Sequence, residues 1–272
     1  MQPAARRKGR PKGFDHEPSE TTIQSLDRAL TVLEALASGN GLTLTEVSEA
    51  LNQSPATMYR VLSTLEAREF VETDPRTQGW HIGPTAFRLG SAFLRRSGVA
   101  DKSRPVMREL TDATGETSNL GIEKDGDIMF VSQIETQESI RAFFPPGTLS
   151  PMHASGIGKA LLSLYDEGRI DRFLRNNPLE RFTAKTIGTV ERLKEELQVA
   201  RVRGFAVDDE EKNTGMRCVA APILNAHGEA VAGISVSGPT HRMTESEIDR
   251  IGALVREAAA KVSRSLGAPD PA

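Results

Sequence analysis

The stretch that decides the architecture runs from Thr43 to Leu65, TLTEVSEALNQSPATMYRVLSTL. Thr43 followed three residues later by Glu46 has the capping-box pattern, in which a hydroxyl and a carboxylate satisfy backbone N–H groups that a helix start leaves free. Leu44, Val47 and Leu51 then share one face, and the short helix they predict ends near Asn52. Ser54 can cap the next helix, with Pro55 at its first position, where a missing N–H is harmless. Met58, Val61, Leu62 and Leu65 form its buried stripe, and its other face carries Ala56, Tyr59, Arg60 and Ser63, with Ser54 and Thr57 near its start. Two short helices joined by a tight turn, the second opening on small hydrogen-bonding residues, is the arrangement that lays a recognition helix in the major groove of DNA.

The flanks agree. Upstream, Leu26, Ala29, Leu30, Leu33 and Leu36 recur at helical spacing before Gly39-Asn40-Gly41 stops the helix. Downstream, the β-prone segments Phe70-Val71-Glu72 and Trp80-His81-Ile82 enclose the turn-rich Thr73 to Gly79, which predicts a hairpin wing with Arg76 placed for a phosphate contact. Helix, turn, helix and wing together select DNA, where each alone would suit many proteins that bind nothing. From Thr22 to Arg88, however, five lysines and arginines stand against eight acids. Attraction to phosphate must therefore come from local placement and from the start of the chain, where Arg6, Arg7, Lys8, Arg10 and Lys12 occur without an acid. Gly9, Pro11 and Gly13 keep that arm from building a helix, so it is expected to be disordered. Lys8-Gly9-Arg10-Pro11 resembles the Gly-Arg-Pro core of AT-hook segments, which would lay Arg10 in a narrow minor groove.

A chain of 272 residues, 38% hydrophobic and 26% charged, suits two domains with real cores. No apolar run approaches the roughly 20 residues of a membrane span. The basic start leads into Gly and Pro rather than an apolar signal core, so a cytoplasmic protein is expected. One cysteine, Cys218, and five scattered histidines cannot form a thiolate metal cage, and no metal or cofactor is expected. The net charge of −3 argues against a protein that coats nucleic acid.

Residues 84–96 predict a connecting helix whose Phe87, Leu89, Phe93 and Leu94 offer an apolar side to a partner chain. Beyond it, a hairpin is expected with Leu120-Gly121-Ile122 and Ile128 to Val131 around the turn Lys124-Asp125-Gly126-Asp127. Further strands are expected at Ile140–Phe144, Phe205–Val207, Cys218–Leu224 and Ala230–Val236. Helices are expected at Gly158–Leu164, Ile170–Arg175, Val190–Arg203 and Glu245–Leu266, the last with a capping box from Thr244 and Glu247. This pattern is α+β. The expected division is an arm at 1–21, a winged helix-turn-helix at 22–84, a linker helix at 85–102 and a sensor domain at 103–268.

Ser155-Gly156-Ile157-Gly158 opens a helix, so free N–H groups are available to a carboxylate there. In Gly233-Ile234-Ser235-Val236-Ser237, alternation puts Ile234 and Val236 on one face and Gly233, Ser235 and Ser237 on the other, the hydroxyls about 7 Å apart. That face suits a small hydrogen-bonding cavity.

From Ile23 to Leu266 the chain resembles the IclR family of regulators. The resemblance is carried by Ser25 to Leu30, Leu62 to Leu65 before Phe70-Val71, Leu149 to Leu162, Gly204 to Glu211, and Ile234 to Pro239. It implies an N-terminal winged helix, a GAF-like effector domain, a homodimer or dimer of dimers (a homotetramer), and repression or activation of a nearby operon rather than catalysis. It also implies that Ser155, Gly156, Ile157, Asp208, Cys218 and the run Ser235-Val236-Ser237 match the positions that hold glyoxylate in glyoxylate-responsive members, those governing allantoin or β-hydroxyaspartate metabolism among them. A sensor of a larger or aromatic acid is the alternative, with Met129 and Met216 available to reshape the pocket. An enzyme using Cys218 and His153 is the remote one, since no third residue is evident to orient the histidine.

Overall fold

The computed structural model describes residues 22–39 and 41–269. The arm and its Arg10, with Asn40, lie outside them. The chain divides into two compact units, one up to Ala92 and one from Phe93 onward.

In the first unit, helices α1 (Gln24–Ser38), α2 (Leu44–Ala50) and α3 (Pro55–Glu66) precede strands β1 (Val71–Thr73) and β2 (Trp80–Ile82). The capping box at Thr43 forms: its backbone N–H donates to Glu46 Oε2 at 2.7 Å, and its hydroxyl accepts from the Glu46 N–H. Ser54 caps α3 in front of Pro55. Val32, Leu36, Val47, Met58, Leu62, Val71 and Trp80 make one core, each buried aliphatic side chain contributing about 1.5–3 kcal/mol. The inner face of α1 departs from expectation. Val32 and Leu36 are buried, whereas Leu26 and Leu30 are more than half exposed and extend an apolar edge begun by Ile23. β1 and β2 pair antiparallel, and Leu42 bridges to Trp80, tying the wing to the chain ahead of α2.

Helix α4 (Pro84–Ser97) follows, then α5 (Val99–Thr114). The linker expected over 85–102 is thus two helices, parted at Gly98, whose φ of 64° leaves the helical region. The sensor unit is a six-stranded antiparallel sheet of β3 (Thr117–Lys124), β4 (Asp127–Ile134), β5 (Leu149–Pro151), β6 (Ala206–Asp209), β7 (Met216–Leu224) and β8 (Ala230–Pro239), in the order β5-β4-β3-β8-β7-β6. Asp125 and Gly126, both at positive φ, form the β3–β4 turn as expected of an Asp-Gly pair. Residues Ile140–Phe144 form no strand; Ile140 and Phe143 are exposed in the connection to β5.

Alternation along the strands builds two cores. Leu120, Val131, Val207, Val219, Ile234 and Val236 face α5 and α9 (Ile248–Ser265). Ile128, Phe130, Ala206 and Ala220 face α6 (Gly156–Leu162), α7 (Glu167–Asn176) and α8 (Val190–Arg203). The capping box expected ahead of α9 does not form, because the Thr244 hydroxyl pairs with that of Ser246 and Glu247 binds Arg250.

Candidate functional site

On the α6 side of the sheet, the registers set side chains out in rows. One runs Asp208, Cys218, Ser237 and Thr117 across β6, β7, β8 and β3. The next runs Ala206, Ala220, Ser235, Asn119 and, on β4, Gln133. A third holds Gly233 and Gly121. Helix α6 lies directly on these rows. A Cβ on Gly156 would come within 2.8 Å of Cys218 Sγ, and one on Gly233 within 2.6 Å of the Ile157 side chain, so only glycine permits this approach. Ile157 thereby packs over Gly121 and Gly233, and Ser235, Ser237, Cys218 and Asp208 form a polar cluster on the sheet face beneath α6.

Seven of the eight expected ligand contacts are brought together in this way. Val236 is the exception: its side chain is fully buried in the opposite core, and its backbone pairs with Val219 and Ser118. Ser155 is partly committed, since its hydroxyl accepts the Gly158 N–H at 3.3 Å as the cap of α6. Met129 packs toward the α5 and α9 core, on the other face of the sheet, while Met216 lies in register with Pro239, beyond the pairing of Cys218 with Ser237.

One polar group of this cluster is poorly matched. Ser235 is wholly buried and its Oγ makes no hydrogen bond of normal geometry, although it lies beside the Cys218 thiol. Leaving such a hydroxyl unpaired costs about 1–3 kcal/mol. Asp208 and Cys218 keep some accessible surface, yet desolvation dominates both. Burial raises the Asp208 carboxyl to about 7, against the pull of the Lys159 charge and with the push of Glu211. Burial and then the Asp208 charge raise the Cys218 thiol to about 11, so it is a thiol at neutral pH. His153 has no role with it: His153 Nε2 bonds the Glu180 carbonyl oxygen at 3.0 Å, and burial lowers its pKa.

Several residues here escape a reading by motif. Lys159, fully buried on α6, pairs with Glu211 and lies 3.9 Å from Glu196. The Glu211 N–H in turn donates to Asp208 Oδ1 at 2.8 Å, which fixes the aspartate. A lysine inside the apolar run Ile157 to Leu162 was the available signal. Asn119 and Gln133 had none beyond the unusually polar run Thr117-Ser118-Asn119 in a buried strand.

In the first unit, α3 exposes Ser54, Ala56, Tyr59 and Arg60, with Thr57 and Ser63 half-buried, and Arg76 is exposed on the wing. Ser54 and Thr57 hydroxyls bond each other at 2.9 Å, so their first task is to cap the helix. Arg28 and Arg60 border a groove of about 460 Å3 between α1 and α3.

A helix-turn-helix with a wing, followed by an α+β domain with a polar cluster beneath a short helix, defines a two-domain transcriptional regulator with an effector domain. The helix-turn-helix model of the IclR family matches residues 25–75, and the model of the bacterial transcriptional regulator IclR C-terminal domain matches residues 91–264. The chain is 52% identical over 262 residues to the HTH-type transcriptional regulator BhcR of Paracoccus denitrificans, covering 95% of this chain and 94% of that one. It is 35% identical over 268 residues to the transcriptional repressor IclR of Escherichia coli, covering 97% and 98%. The crystal structure of Thermotoga maritima IclR superposes with a TM-score of 0.79 at 28% identity, over 90% of this chain and 99% of that one. This chain belongs to the IclR family of DNA-binding transcriptional regulators, and its fold and relatives are those of non-enzymes.

Proposed function

We propose that this regulator adjusts its operator binding to a small carboxylate, glyoxylate first among them, held between Ser235, Ser237, Cys218, Asp208 and the Gly156-Ile157 backbone. The observation that carries the reading is the wholly buried Ser235 hydroxyl beneath α6, which among the described residues has only the weakly accepting Cys218 sulfur beside it. A carboxylate accepts from such a donor, and the hydrated aldehyde carbon of glyoxylate presents hydroxyls that Asp208 can accept from. Small size is favoured because Ile157 fills the space over Gly121 and Gly233. A groove of about 680 Å3 on this unit is lined by other residues, Arg181, Lys185 and Arg192 among them.

The DNA-reading face is assigned to Tyr59, Arg60 and Ser63, with Ser54 and Thr57 at the helix start, Arg76 on the wing and Arg10 in the arm. The regulator works as a homodimer or dimer of dimers in the cytoplasm. A larger or aromatic acid would need Ile157 to withdraw.

Calorimetric titration with glyoxylate, glycolate, pyruvate and an aromatic acid tests the effector. Glyoxylate is expected to bind selectively and Asp208→Ala to lose at least about tenfold in affinity, about 1.4 kcal/mol. Heat from another acid with silence for glyoxylate would discard glyoxylate and keep the regulator.

A further inference from the structure

The polar row beneath α6 continues into a buried chain of side-chain amides. Gln133 Nε2 donates to Asn119 Oδ1 at 2.8 Å, and Asn119 Nδ2 donates to Ser237 Oγ at 3.2 Å. Asn119 is wholly buried and Ser237 nearly so. The three residues sit on β4, β3 and β8, on the face that meets α6. A side-chain amide has a donor end and an acceptor end, so fixing one end fixes the other. With Gln133 donating into Asn119, the asparagine turns its N–H toward Ser237, and the serine oxygen is occupied as an acceptor. Its own proton must then go elsewhere. In the structure that proton meets the Cys218 sulfur, a weak acceptor that the stronger acceptor of a carboxylate can displace.

We propose that Gln133 and Asn119 are positioning residues that hold Ser237 as a hydrogen-bond donor toward the effector, making the floor of the site selective for the acceptor-only end of a carboxylate. The inference rests on the effector site proposed above and adds the device that sets its preference. Ser235 and Ser237 then present two donors on one face. A ligand offering N–H groups, such as the corresponding amide, finds no acceptor on that floor and leaves donors facing donors, which disfavours it by the cost of unpaired buried groups.

The test reverses the chain and asks whether the effect passes through Ser237. In Gln133→Glu, residue 133 can only accept, so the Asn119 amide turns around and Ser237 donates to it instead of to the ligand. Glyoxylate affinity measured by calorimetry is expected to fall at least fivefold in Gln133→Glu, and by less than twofold when the same change is made in a Ser237→Ala background. A simple charge effect of the new carboxylate would persist in that background, so an equal loss in both, or no loss in either, overturns the relay. A second measurement needs no effector. In the ligand-free protein, the Asn119 side-chain amide protons, observed by nitrogen-15 NMR with selectively labelled asparagine, should shift on Ser237→Ala and again on Gln133→Glu. If they respond to neither, the relay is refuted whatever the protein binds, whereas wild-type silence toward glyoxylate alongside responsive amides refutes only the effector.

Discussion

Asp208 shows how a single side chain couples this site to pH. Its carboxyl titrates at about 7 because burial, assisted by Glu211, outweighs the attraction of Lys159, while in the unfolded chain it returns to about 3.9. The folded protein therefore holds a proton that the unfolded chain has lost between those values, and stability falls as pH rises from about 4 through 7. An amide in place of this carboxyl would keep the acceptor for the Glu211 N–H without the charge. We expect Asp208→Asn to match the wild type in denaturant stability at pH 4 and to exceed it at pH 8 by at least about 1.4 kcal/mol, the worth of one pKa unit. An anion bound beside Asp208 raises its pKa further, so the complex takes up a proton above pH 7. Affinity for an anionic effector should fall with rising pH in the wild type, by up to about tenfold per unit, and stay flat in Asp208→Asn. A flat wild-type profile would remove the carboxylate from contact with the ligand's charge. The serines and Asp208 were legible as polar residues at motif positions. Lys159, Glu211 and the Asn119–Gln133 pair were not, because they are linked by register and by long-range contact, which a linear pattern does not carry.

At the scale of elements, legibility followed the strength of local signals. The Thr43 box, the Ser54-Pro55 start of α3 and the Asp125-Gly126 turn formed where residue chemistry placed them. The misses have the same physical origin, a local signal overruled by packing. Thr244 and Glu247 have the box spacing but find nearer partners in Ser246 and Arg250. The helix expected to end at residue 102 instead continues as α5 through Pro105 and buries Val106, Met107 and Leu110 against the sheet. On α1, Leu33 and Leu36 of the expected stripe turn in with Val32, while Leu26 and Leu30 stay exposed. Helix α3 supports the clearest functional expectation. Arg60 is exposed and makes no ion pair among the described residues, so its charge is available to DNA. In gel-shift titrations Arg60→Ala is expected to weaken operator binding by about 1–3 kcal/mol if Arg60 reads a base, with effector affinity unchanged. Unaltered operator affinity would remove Arg60 from the interface.

For the whole molecule, an effector can change operator affinity only if the states that do and do not fit DNA bind it unequally. Charge sets the background against which that difference acts. The DNA-binding segment from Thr22 to Arg88 is acidic overall, with five basic residues against eight acids, whereas the first thirteen residues hold five cations and no acid. A winged helix with this balance is expected to draw much of its nonspecific attraction to phosphate from its arm. Each phosphate contact that the arm makes contributes about 0.9 to the slope of log K against log salt concentration on B-form DNA. Deleting residues 1–13 should therefore lower operator affinity most at low salt and flatten that slope by about 0.9 for every arm cation that neutralises a phosphate. Effector affinity, which depends on residues of the other unit, should be untouched. Replacing Arg10 alone by alanine separates two contributions. If Arg10 enters a narrow A·T-rich minor groove, its loss weakens sites with such a flank more than sites without one, beyond what one cation's share of the salt slope predicts. If the arm acts only through its charge, every site weakens alike; and if the slope of the truncated protein equals that of the full chain, the arm has no part in binding and the basic contacts must be sought on α3 and the wing.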